Sequence, residues 1–284
     1  MIAVTGATGE LGGRVARRLA ARGAAQRLIV RDAATAPALA GADVAAASDY
    51  GATDEMRAAL EGADTLLLVP GRESLERVRQ HTSAVDAAVA AGVERIVYFS
   101  FVGAASDATF LLGRHHWATE EHIRAGGLRH TLLRMNFYLD FMPFFVRPDG
   151  LLAAPAGDGR LAPVARDDLA DVAVAVLLGG DHDGRTYDVT GGERFTLAEA
   201  AERMARYSGK AIAYREETAE EAFASRAHLA PDWEVEGWVS SYLAIGAGDA
   251  DVATDTVRAL AGHEPLTLEA YLAAHPDALD HVTG

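Results

Sequence analysis

The sequence predicts an α/β fold: a doubly wound parallel sheet with a smaller, mostly helical C-terminal part. Three observations point to it. Short apolar runs alternate with amphipathic stretches through the first half of the chain, a pattern that gives parallel strands with helices on both faces of the sheet. A glycine-rich loop lies between the first apolar run and the first amphipathic stretch. The alternation breaks after Arg134, where aromatic residues and prolines take over. A chain of 284 residues suits a dinucleotide domain with an appendage. The expected division is residues 1–150 and residues 151–284, the second part packed on the sheet ends.

Residues 2–5, 27–30, 43–46, 65–69, 95–100 and 130–134 are expected strands, and residues 11–22, 54–60, 74–91 and 116–125 expected helices. In the first helix Leu11, Val15 and Leu19 recur every four residues and so share one buried face. Gly23, Gly92 and the pair Gly126-Gly127 mark helix ends. Beyond the break, Phe137, Tyr138, Phe141, Phe144 and Phe145 crowd a segment interrupted by Pro143, Pro148 and Gly150. Gly157-Asp158-Gly159 reads as a turn joining two short strands. Residues 167–178 form an expected helix with an acidic first turn. Residues 185–190 and 211–214 follow as strands, residues 196–207 as a helix, and the remainder as mostly helical. Residues 223–246, with Trp233, Trp238 and Tyr242, fit either a lid or core.

Composition narrows the function. Half of the residues are hydrophobic and 24% are charged, which excludes intrinsic disorder. No apolar run approaches the roughly 20 residues needed to span a membrane. The chain contains no cysteine, so disulfides, thiolate zinc sites and cysteine nucleophiles are excluded. The strand and glycine loop open the sequence at once, leaving no signal peptide in view, and the expected location is the cytoplasm. A net charge of −15 argues against direct nucleic-acid binding. The expected partner is a small-molecule substrate, with a homodimer as the oligomeric expectation.

The loop reads Thr5-Gly6-Ala7-Thr8-Gly9-Glu10-Leu11-Gly12. Gly6 permits the tight turn, Gly9 lets backbone approach a pyrophosphate, and Gly12 lets helix pack closely on strand. The N–H groups at the helix start then face phosphate. With strand, loop, helix and next strand all in place, this Rossmann-type arrangement predicts dinucleotide binding. The second strand ends Val30-Arg31-Asp32. An acidic residue there binds the ribose 2′-OH of NAD, and an arginine binds the 2′-phosphate of NADP. Arg31 comes directly off the strand, which favours NADPH over NADH. Asp49 and Tyr50 follow the third strand and would contact the adenine end. Val69, Pro70 and Gly71 end the fourth strand and would wall the cofactor cleft.

The loop, the Val30-Arg31-Asp32 strand end, residues 87–100 and residues 131–134 together resemble the NmrA-like, atypical short-chain dehydrogenases/reductases. The resemblance extends over residues 157–160, 166–170 and 187–191 and fades after Lys210. It implies NADP(H) binding and either reduction of small carbonyl or quinone compounds or redox sensing. Ser100 stands where the family's serine sits. The usual Tyr-x-x-x-Lys pair is absent, since Lys210 is the only lysine.

His116 and Glu120 stand in its place at i,i+4 spacing. A histidine could donate the proton, with the carboxylate orienting it and raising its pKa; a helix-surface pair is the plainer reading. His115, His116, His122 and Glu120 match no metal-site spacing, so no metal is expected. The candidate catalytic residues are therefore Ser100, His116, Glu120 and Tyr138. Backbone at Ser100, Phe101 and Val102 would line the cofactor, and Asn136, Phe137 and Tyr138 the substrate pocket. Reducing a quinone yields a phenol-like oxygen of pKa about 10, so a strong proton donor matters less than for a ketone. The leading expectation is an NAD(P)H-dependent reductase of a quinone or another flat conjugated carbonyl. The alternatives are a non-enzymatic NADP(H) sensor, or a biosynthetic enone or imine reductase, isomerase or cyclase.

Overall fold

The computed structural model describes residues 1–283. Its central sheet has seven strands. They are β1 (Ile2–Thr5), β2 (Gln26–Val30), β3 (Ala42–Ala46), β4 (Thr65–Leu68), β5 (Arg95–Phe101), β6 (Arg129–Met135) and, later in the chain, β9 (Arg185–Val189). The order across the sheet is β3-β2-β1-β4-β5-β6-β9. Strands β3, β2, β1, β4 and β5 pair in parallel. At the far edge the Gly184 N–H donates to the His130 carbonyl and the Asn136 N–H to the Val189 carbonyl, so β6 and β9 also run the same way. The doubly wound parallel sheet expected from the alternating pattern is therefore present.

The helices between these strands are α1 (Glu10–Ala21), α2 (Thr53–Leu60), α3 (Arg77–Ala90), α4 (Leu111–Ala125) and α5 (Arg166–Leu178). Helix α1 buries Leu11, Val15 and Leu19 and packs beside α5, where Arg18 bonds to Asp167 and Asp171. All seven residues of β5 are buried, as a strand covered on both faces requires. The outer strand β3 remains half-wet. Leu66, Leu68, Ile96, Tyr98, Val85 and Ile123 share the core under α3 and α4. Helix α4 begins five residues earlier than expected. Gly113, within its first turn, lies against Ala108 and Phe110, where a Cβ would come within 3.2 Å of the Ala108 side chain.

The chain divides into two compact units, but not at residue 150. The first comprises residues 1–101, 115–134 and 166–187; the second comprises residues 102–114, 135–165 and 188–284. The single boundary fails because α5 returns to pack on α1 and β9 to extend the sheet.

In the second unit β7 (Leu151–Ala154) and β8 (Arg160–Leu161) flank the expected turn, yet they do not pair with each other. Strand β7 runs parallel to β11 (Ala213–Glu216), and β8 antiparallel to β10 (Phe195–Thr196). Helix α6 (Leu197–Ser208) starts with a capping box formed by Thr196 and Glu199 and stops at left-handed Gly209. Helices α7 (Ala219–Arg226), α8 (Asp232–Gly246), α9 (Thr256–Ala261) and α10 (Leu268–Ala274) complete the unit. Its main core gathers Leu152, Leu161, Phe195, Met204, Ile245 and Leu272. Of the segment with two readings, Val235 and Val239 form a small core with the preceding Ala222. Among the described residues no helix is long and apolar enough to cross a membrane.

Candidate functional site

The first unit holds the glycine loop in a conformation set by three backbone facts. Gly6 has a left-handed φ of 62°. The Gly9 N–H donates to the Gly6 carbonyl at 2.9 Å and closes the turn. A Cβ on Gly12 would lie 2.4 Å from the Gly6 oxygen and 2.7 Å from the Thr5 oxygen, so only glycine lets α1 start here. On Gly9 a Cβ would meet only the Gly6 oxygen, at 3.3 Å. Gly9 is the N-cap of α1. The N–H groups of Glu10, Leu11 and Gly12 therefore have no carbonyl a turn earlier to bond and supply a partial positive charge for an anion.

Ala7 and Leu11 bury their side chains and offer only backbone. The Glu10 carboxylate turns to Arg14, whose hydrogen bond and charge hold it below its ordinary 4.5.

Beside this loop lies a cavity of about 590 Å³, bordered by Gly6, Thr8, Gly9, Arg31, Asp49 and Tyr50. Pro70, Gly71 and Arg72 close another side, and the Val69 side chain sits 3.3 Å from where a Gly6 Cβ would be. The neighbours Arg31 and Asp32 part company here. Asp32 accepts a hydrogen bond from the Ala34 N–H and caps a short helical turn. Arg31 borders the cavity with no ion pair among the described residues. Asp49 is held by the Gly51 N–H and by Gln80. The Tyr50 hydroxyl donates to the Val69 carbonyl at 2.8 Å, and burial pushes this phenol up to about 12. A cradle that a Cβ would fill, an unsatisfied helix start and an uncommitted arginine fit a phosphorylated dinucleotide.

Deeper in the same unit, the expected His116–Glu120 pair does not form. The Ser100 hydroxyl donates to Glu120 at 2.5 Å, and Arg134 and Arg124 bond the same carboxylate at 2.6 and 2.9 Å. Burial pushes the Glu120 carboxyl up, but hydrogen bonds from Arg134 and Ser100 outweigh it and leave the group below its ordinary value. Glu120 is thus a fully buried structural anion, and the Ser100 proton is committed to it.

His116 instead lies with Nδ1 2.9 Å from the Tyr98 hydroxyl and Nε2 3.3 Å from Arg77. Because Arg77 can only donate, Nε2 accepts and Nδ1 carries the proton. Burial first, then the Arg77 charge, push the His116 pKa well below 6.5. A neutral, enclosed ring does not serve as the expected proton donor. The Phe101 ring lies 6.2 Å from it.

His81 is depressed for the same reasons, burial and then Arg77. Both rings are neutral when folded and protonate more readily when unfolded. Stability is therefore expected to be level above about pH 6.5 and to decline as pH falls below it, ahead of the paired carboxylates, which give way only below about 4.5. A melting temperature unchanged between pH 7.5 and 5 would contradict this.

In the second unit the Val102 N–H donates to the Met135 carbonyl at 3.0 Å, and the residue is buried. Asn136 does not act as expected for a substrate contact. It is buried, its amide donates to the Ala250 carbonyl at 2.9 Å, and its oxygen accepts from the Phe137 N–H at 2.8 Å. Phe137 packs on Phe110. Tyr138 is half-buried with its ring 5.7 Å from Phe141. Of the four residues weighed as metal ligands, His122 bonds Asp86, and Glu120 and His116 have the partners above. The sequence reading missed Arg72, Arg77, Gln80 and His81; Arg77 and His81 stand at i,i+4 on a helix whose first half is largely polar, so nothing in the spacing set them apart.

The NmrA-like family profile matches residues 1–272. Quinone oxidoreductase 2 of Escherichia coli is 33% identical over 276 residues, covering 94% of this chain and 96% of the relative. The crystal structure of NADPH-dependent quinone oxidoreductase QOR2 from Escherichia coli in complex with NADPH matches with a TM-score of 0.89 at 31% identity, covering 97% of this chain and 99% of that one. The triphenylmethane reductase of Citrobacter sp. complexed with NADP(H) matches with a TM-score of 0.85 at 30% identity, over 96% and 100% of the two chains. A family match across nearly the whole chain, over the same glycine loop and sheet, makes this protein a member of the NmrA-like family.

Proposed function

We propose that this chain is an NADPH-dependent reductase whose acceptor is a quinone or another flat conjugated carbonyl. The observation that carries the cofactor choice is the split between Arg31, which borders the cavity, and Asp32, which is used up as a cap. The similarity to a quinone oxidoreductase crystallised with NADPH supports the same reading. The bound nicotinamide would supply the hydride.

The chain's own residues bind and orient. Backbone N–H groups of Glu10, Leu11 and Gly12 would receive the diphosphate. Arg31 would hold the 2′-phosphate, with Arg72 on the same cavity. Tyr50 and Gly71 would wall the nucleotide. Proton supply narrows the acceptor. The Ser100 and His116 protons are committed inside the protein, so a ketone, whose product oxygen is strongly basic, is poorly served. A quinone gives a phenol-like oxygen of pKa about 10, which water protonates.

Steady-state oxidation of NADPH should proceed with simple benzoquinones and naphthoquinones. Demonstrated NADPH binding without turnover across such a panel would overturn the proposal. Arg31→Ala should raise the KM for NADPH about 10- to 100-fold, the worth of a charge-assisted hydrogen bond. The KM for NADH should stay within about twofold, because NADH carries no 2′-phosphate to lose.

A further inference from the structure

Beyond the end of β4, residues 69–71 leave the sheet, yet side chains hold their backbone. The Val69 N–H donates to Thr5 Oγ1 at 2.9 Å and its carbonyl accepts from the Tyr50 hydroxyl at 2.8 Å. Pro70 has no N–H to satisfy. The Gly71 N–H donates to His81 Nε2 at 2.9 Å, and the Gly71 carbonyl accepts from Arg77 Nε at 3.2 Å. His81 and Arg77 lie one turn apart on α3, so one helix face grips both polar groups of one residue.

Both side chains are buried, His81 completely and Arg77 to 4% exposure. Each is held from behind. His81 Nε2 accepts, so its proton is on Nδ1, which faces Thr119 Oγ1 at 3.1 Å; that hydroxyl in turn donates to the His115 carbonyl. Arg77 also donates to His116 Nε2, and His116 is braced by Tyr98. Gly71 borders the nucleotide cavity and lies against the Tyr50 ring.

We infer that His81 and Arg77 are positioning residues that hold the Gly71 wall of the nucleotide cavity in its binding shape before NADPH arrives. The inference rests on the proposed NADPH site. A preformed wall lowers the ordering cost of binding, so its loss appears in cofactor affinity ahead of turnover. It also gives the neutral His116 and Tyr98 a role away from the chemistry, as supports of Arg77.

The test compares His81→Leu, which strands the Gly71 N–H, with His81→Gln, whose amide oxygen can still accept it. NADPH dissociation constants come from calorimetry, and KM and kcat from quinone turnover. His81→Leu should weaken NADPH binding and raise its KM about 5- to 20-fold while kcat at saturation falls less than threefold. His81→Gln should return both constants to within about threefold of wild type. NADPH affinity of folded His81→Leu within twofold of wild type overturns the inference, as does equal impairment in both variants. If His81→Leu does not fold, Arg77→Lys decides, since it keeps the charge but loses the Nε contact: weakening of at least threefold supports the grip, and a smaller change overturns it. A wild-type chain that does not bind NADPH instead sinks the proposed function, and this inference with it.

Discussion

Gly12→Ala is expected to abolish measurable NADPH binding, weakening it more than about 100-fold, and to lower stability as well. The added Cβ would lie 2.4 Å from the Gly6 oxygen and 2.7 Å from the Thr5 oxygen. Both atoms are backbone, so no side chain can swing aside. Either the loop or the start of α1 must move, and with it the N–H groups proposed to receive the diphosphate. Forcing one extra carbon into packed structure costs about 1–3 kcal/mol. Gly9→Ala should behave differently. Its Cβ has only the Gly6 oxygen at 3.3 Å, so the fold should survive with a melting temperature within a few degrees of wild type. In the proposed site the methyl group would stand between the backbone and the diphosphate, and binding should weaken more than about tenfold. Calorimetry with NADPH beside thermal melting separates the cases; Gly12→Ala binding NADPH within threefold of wild type would refute the argument.

Glu120→Ala should be the most destabilising single change at the buried polar cluster. The carboxylate is fully buried and bonds Ser100, Arg134 and Arg124. Removing one side of a fully buried ion pair costs about 3–5 kcal/mol, an upper bound here because Arg134 and Arg124, 23% and 36% exposed, regain water. For a chain of this size that is a fall in melting temperature of up to about 10 °C. Glu120→Gln keeps the shape and an acceptor for Ser100, so it should lose less. A fall of under 3 °C in Glu120→Ala would show that the cluster contributes little.

The glycine loop proposed to take the nucleotide was legible because its conformation is set locally. Thr5 to Gly12 are contiguous, and each glycine answers a backbone demand within eight residues. Arg31 and Asp32 could be named but not separated, since which one caps the next turn depends on where that turn bends. The deeper polar groups were misread for a common reason. Spacing of i,i+4 says that His116 and Glu120 share a helix face, but each side chain found stronger partners on β5, β6 and α3: Glu120 chose Arg134, and His116 chose Tyr98 and Arg77. Asn136 at a strand end reads as a ligand contact, yet its amide clamps the distant Ala250 carbonyl. No local pattern announces such a bond. The grip on Gly71 was invisible for the same reason, because a helix side chain answers a loop ten residues upstream.

The strands themselves followed their apolar runs to within a residue or two, since a buried central strand such as β5 has little choice. Pairing was harder: the two short strands around Gly157 look like a hairpin, and each found a partner elsewhere.

The interleaving of the two units has a consequence for how such a gene can change. The chain passes from one to the other after residues 101, 114, 134, 165 and 187, so no single cut point releases either as a cassette. Recombination that swaps a downstream half between relatives would splice mismatched pieces into both units at once. New acceptor preferences in this lineage should therefore arise by point substitution and loop exchange, with the reading frame on either side inherited as one piece.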